Sequence, residues 1–84
     1  MSLQVFLESL DSLERQAREQ FAGVVDAAGL ESLRVEFLGA KNGLLKSAQK
    51  QLGTVPATDK PAAGKRFNEV REAIESLLEE TSSR

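Results

Sequence analysis

Apolar residues recur at Leu3, Phe6, Leu10, Leu13, Ala17 and Phe21, with Val24 beyond, while Glu8, Asp11, Glu14, Arg15, Arg18 and Glu19 fall between them. Steps of three and four put one apolar stripe on a helix, which predicts a first helix over about residues 3–22. Ser2 precedes it as an N-cap, its hydroxyl placed to accept from an orphan N–H of the first turn. Gly23 and the 26–29 stretch end or bend this element. Asp26 can cap a second helix that carries Leu30, Leu33, Phe37 and Leu38 and stops at Gly39, where a residue without a Cβ can close the helix in the left-handed conformation. Turn formers fill 39–43. Periodicity resumes at Leu44, Leu45, Ala48, Leu52 and Val55, which predicts one arm interrupted by a kink or short loop.

A second turn spans 53–61, with Pro56 and Pro61 at positions where no helix has begun or only its first turn has formed. Beyond it, Ala63, Phe67, Val70, Ile74 and Leu77 repeat at 4-3-4-3 spacing, about three heptads of coiled-coil seam. Strand-like alternation is absent. The expected fold is all-α: an antiparallel helical hairpin, or coiled coil, with the additional N-terminal helix as a third packing partner, forming a single helical domain over 1–84. A helix of about 22 residues is about 33 Å long, so the object should be elongated and its core correspondingly small. Residues 81–84 read as a cut or frayed end.

Composition narrows the chemistry. The 84 residues contain no Cys, His, Trp or Tyr. A thiol nucleophile, an imidazole acid–base group, a zinc ligand set and a disulfide framework are therefore excluded. No run of about 18 apolar residues suggests a membrane span, and Glu8 and Asp11 sit where a signal peptide would be basic and then hydrophobic. A soluble intracellular chain, or a piece of one, is expected. Carboxylate pairs such as Glu72 with Glu75, or Glu75 with Glu79, lie one turn apart on a solvated helical face, where nothing raises one pKa above the other. Gly39 and Gly43 lack the spacing and the Lys-Ser/Thr pair of a phosphate-cradling loop. Catalysis within these residues is not expected, and no cofactor is assigned to them.

Net charge is −2, but it is distributed in blocks. Residues 1–33 carry −4, residues 34–66 carry +5 and residues 67–84 carry −3. The basic block comprises Arg34, Lys41, Lys46, Lys50, Lys60, Lys65 and Arg66. In a hairpin turning near 53–61, Lys46 and Lys50 approach Lys60, Lys65 and Arg66 near one end. Arg34 and Lys41 extend the track along the arm, and the acidic residues are expected mainly toward the opposite end. Such a surface suits a polyanion. The alternative is a protein–protein coiled-coil adaptor, whose seam dimerises and whose charges only solubilise. Phe6, Phe21, Phe37 and Phe67 fall on apolar stripes and are expected in the core rather than as base-stacking platforms.

The segment from Leu30 to Lys46, with Arg34, Phe37, Gly39, Lys41, Gly43 and Leu45 at its marked positions, resembles the N-terminal region of bacterial phenylalanyl-tRNA synthetase alpha subunits. There a helix reading L-x-x-[LV]-[RK]-x-x-[YF]-L-G runs into a Lys/Gly turn and a leucine-bearing helix. Lys60, Pro61, Gly64, Lys65, Arg66, Phe67, Asn68 and Val70 are similar to the start of that family's long helix, P-A-x-G-x-x-[IFL]-N-x-x-[KR]. The likeness covers about residues 26–80. The 39–43 turn is one residue longer, and one lysine poorer, than the family's common form. The resemblance implies an antiparallel coiled-coil arm that helps dock phenylalanine tRNA for aminoacylation. It also implies a cytoplasmic parent enzyme of two alpha and two beta chains, an ATP-dependent ligase using magnesium, whose catalytic domain would follow this arm.

Overall fold

A computed structural model describes residues 2–39 and 43–83. Four helices follow in order: α1 (Leu3–Ala22), α2 (Ala27–Leu38), α3 (Leu44–Leu52) and α4 (Lys60–Ser82). The described residues contain no strand. Ser2 caps α1, its Oγ accepting from the Val5 N–H at 3.2 Å, and Asp26 caps α2, its Oδ1 accepting from the Gly29 N–H at 2.7 Å. Each satisfies a donor that the helix itself leaves without a partner. Pro61 occupies the first turn of α4, where its missing N–H costs nothing.

Gly39 does not close α2 in the left-handed conformation: its φ is −59° and ψ is 143°. Glycine is required there for space instead. A Cβ on Gly39 would lie 2.4 Å from the Val35 carbonyl oxygen, and one on Gly43 would lie 2.6 Å from both the N and the O of Gly39. The two backbones meet where side chains cannot fit, which lets the arm turn from α2 into α3. Residues 40–42 lie outside the described residues.

The three segments run up, down and up. Arg66 of α4 meets Asp11 and Glu14 of α1, and Val24, just past α1, shares a cleft with Thr81 near the end of α4, so α1 and α4 run parallel. Ala27 and Leu30, at the start of α2, share a cleft with Thr81 and Ser82 at the end of α4, while Leu45, Lys46 and Gln49 of α3 share one with Phe67, Arg71 and Glu75. The α2–α3 arm therefore runs antiparallel to α4, as the hairpin requires. Every pair of helices touches, and α1 with α4 is the most extensive pairing. The molecule measures 43 × 20 × 15 Å.

One apolar cluster joins all four helices. It contains Phe6, Leu10, Leu13, Ala17 and Phe21 from α1, Leu33 and Phe37 from α2, and Leu45 and Ala48 from α3. Val55 adds the turn before α4, and Ala63, Phe67, Val70 and Ile74 complete it. Leu52 and Leu77 pack against it partly exposed. All four phenylalanines are core, and the Phe21 and Phe37 rings meet at 5.9 Å between centroids. Burial of this apolar surface is the main favourable contribution to the fold.

Candidate nucleic-acid interface

The basic residues of the middle block have different fates. Lys46 and Lys50 sit one turn apart on α3, exposed, and neither makes an ion pair among the described residues. Four residues of helix advance about 6 Å, so their ammonium groups line one face. Lys60 opens α4 and Lys65 follows five residues later, both exposed and likewise without an ion pair among the described residues. Because α3 leads through the 53–59 turn directly into α4, all four lysines belong to the same half of the molecule. Lys41 lies outside the described residues.

The two arginines are committed. On α2, Arg34 pairs with Glu31 through both Nε and Nη2. This hydrogen bonding lowers the Glu31 carboxyl below its ordinary pKa and raises the Arg34 guanidinium above its own. Arg66 reaches α1, where Nη2 donates to Asp11 Oδ1 at 2.7 Å and to Glu14 Oε2 at 2.9 Å. Glu14 also accepts from Arg18 at 3.2 Å. The hydrogen bond to Asp11, and then that to Glu14, raise the Arg66 pKa, so it remains a cation held between two carboxylates.

This arrangement revises the expected charge map. Because α1 runs parallel to α4, Asp11 and Glu14 lie beside the basic end rather than at the far one. Successive residues of a helix point about 100° apart, so Lys65 faces solvent while Arg66 faces α1.

The structure also recruits residues that the charge blocks concealed. A cleft of about 240 Å³ between the arm and α4 is lined by Lys46, Gln49, Phe67, Arg71 and Glu75, with Leu38, Gly39 and Leu45 at its arm side. Arg71 belongs to an acidic block by position, yet it stands four residues after Phe67 on the flank facing the arm, a relation visible on a helical wheel. Its only ion pair among the described residues is loose, 3.9 Å to Glu75. No group of three His, Cys, Asp or Glu side chains among the described residues could hold a metal ion. No helix among the described residues is long and apolar enough to cross a membrane. The arrangement offers hydrogen-bond donors and positive charge at a surface.

Comparison with known proteins adds an independent line. Residues 25–84 match the family model described as aminoacyl tRNA synthetase class II, N-terminal domain. The chain is 50% identical over 80 residues to the phenylalanine–tRNA ligase alpha subunit of Rhodopirellula baltica, covering 95% of this chain and 23% of that protein. It is 42% identical over 70 residues to the same subunit of Thermotoga petrophila, covering 83% of this chain and 21% of that protein. With the alpha subunit of Azoarcus sp. it shares 42% identity over 73 residues, 87% of this chain and 21% of that one. The chain thus spans under a quarter of the length of these relatives. No solved structure matches it.

Proposed function

The chain belongs to the N-terminal-domain family of class II aminoacyl-tRNA synthetases, in the form found in phenylalanine–tRNA ligase alpha subunits, and from that premise we propose that it is a helical module that docks tRNA. The observation that carries this reading is the set of four exposed lysines, Lys46, Lys50, Lys60 and Lys65, without carboxylate partners among the described residues around the α3-to-α4 turn. Lysines of this kind release counterions on meeting phosphates and supply sequence-independent affinity. Lys41, outside the described residues, is assigned to the same basic set by its place in the sequence. Arg34 and Arg66 contribute less, because each must first leave its carboxylates.

In this reading the full enzyme joins phenylalanine to tRNA in the cytoplasm with ATP and magnesium, as two alpha and two beta chains. Its chemistry is housed outside these residues, and none of them is assigned to ATP or to the metal.

The test is the parent synthetase with Lys46, Lys50, Lys60 and Lys65 all changed to Glu. Its tRNA affinity should fall steeply, and the slope of log affinity against log salt should shrink by about 0.7–0.9 for each phosphate that the protein no longer neutralises. Phenylalanine activation, followed without tRNA, should be unchanged. Unaltered tRNA affinity at moderate salt would remove the nucleic-acid reading and leave the protein–protein adaptor ahead.

A further inference from the structure

Gly64 is the fifth residue of α4, where glycine forms helix less readily than alanine. No contact among the described residues makes use of it. No described glycine has a positive φ, and, apart from its own stretch of helix backbone, a Cβ at position 64 would meet no described atom within 4 Å. This contrasts with Gly39 and Gly43, where a Cβ would strike backbone. Within one turn of Gly64 in either direction, positions 60–68, α4 carries no carboxylate. Lys60 stands one turn before it and Asn68 one turn after, both exposed, and no acidic residue occupies the first turn of α4. Two turns beyond Gly64, Arg71 lines the cleft, loosely paired with Glu75, with Lys46 on the opposite wall. A notch in a helix, flanked by donors and cations, fits a backbone rich in acceptors and negative charge.

We propose that Gly64 is the point of closest approach of the tRNA sugar–phosphate backbone, its missing side chain allowing the strand to seat between Lys60 and Arg71. This rests on the RNA-binding reading above and adds a steric determinant to its electrostatic ones.

The experiment compares Gly64→Ala and Gly64→Leu with Lys60→Ala and with the four-lysine variant, all in the full-length synthetase. Both Gly64 variants should melt no lower than the parent. Gly64→Leu should bind tRNA about tenfold more weakly and Gly64→Ala less so, as expected when a close contact is overfilled. Because the charge is unchanged, the salt slope should stay at the parental value, whereas Lys60→Ala should reduce it by about 0.7–0.9. Parental tRNA affinity in both Gly64 variants, with the four-lysine variant weakened, would overturn this inference and leave the docking function intact. Parental affinity in the four-lysine variant as well would remove both. A lowered melting temperature in both Gly64 variants would show that the glycine serves the fold, and would equally overturn the proposal.

Discussion

The α1–α4 pair and the α2–α3 arm solve the same packing problem differently. α1 and α4 are uninterrupted, 20 and 23 residues long, and supply Phe6, Leu10, Phe21, Val70 and Ile74, all almost completely buried. The arm reaches a similar length only as two short helices of 12 and 9 residues joined through the Gly39–Gly43 close approach. The difference extends to charge. Where the long helices meet, the cation at the interface is neutralised internally, with Arg66 held by Asp11 and Glu14. Where the arm lies on α4, Lys46 and Lys50 are exposed and have no carboxylate partners among the described residues. One flank of α4 is built for cohesion and the other for presenting charge.

The comparison can be broken most severely from its core. Phe37, fully buried on the arm against Phe21 of α1, is the point where the two regions meet. Phe37→Ala should cost about 3–5 kcal/mol in urea denaturation of the chain, enough to unfold a domain this small. A cost below about 1 kcal/mol would mean that the arm does not pack as described.

Gly43→Ala comes next. Its Cβ would press on the Gly39 backbone, so a loss of about 1–3 kcal/mol is expected. Gly64→Ala should do the reverse, raising stability by about 0.5–1 kcal/mol through helix propensity alone. Melting temperatures that move in the same direction for the two variants would erase the distinction between a glycine needed by the fold and one that the fold could replace.

Arg66→Met removes the bridge to α1 while keeping much of the apolar stem. The guanidinium is partly exposed, so the loss should be about 0.5–1 kcal/mol after solvent screening, and smaller in high salt. A loss that is insensitive to salt would point to packing rather than charge.

The smallest effect belongs to the arm's own pair. Glu31 has a lowered pKa because Arg34 hydrogen-bonds its carboxylate. A depressed acid stabilises the fold above its unfolded value, and that contribution is lost as pH falls through the folded value. Glu31→Gln should therefore flatten, slightly, the decline of melting temperature below about pH 4.5, and leave the chain's behaviour in mild alkali unchanged.

Much of this organisation is legible in residue spacing. The α1 stripe, the Asp26 cap and the 4-3-4-3 seam of α4 follow from local rules of helix geometry, which do not depend on what packs where. The resemblance carried by Leu30–Lys46 and by the start of α4 is matched by the family model. The fate of Arg66 is not legible, because it depends on which flank of α4 the first helix occupies, a choice made by side chains more than 50 residues apart. Arg71 is hidden for a related reason: charge blocks count neighbours in sequence, and helices bring together neighbours three and four residues apart. At Gly39 the sequence suggests a demand on torsion, whereas the demand is steric.

The pairing of α1 with α4 bears on how the chain reaches this state. Asp11 and Arg66 are 55 positions apart, and closing a loop of that length costs more conformational entropy than closing the turn between α3 and α4. The arm and α4 can therefore associate before the pairing of α1 with α4 closes. Interactions that form after the rate-limiting step act on unfolding rather than on folding. Loosening Arg66 should thus shorten the lifetime of the native state while leaving almost untouched the speed at which it is reached.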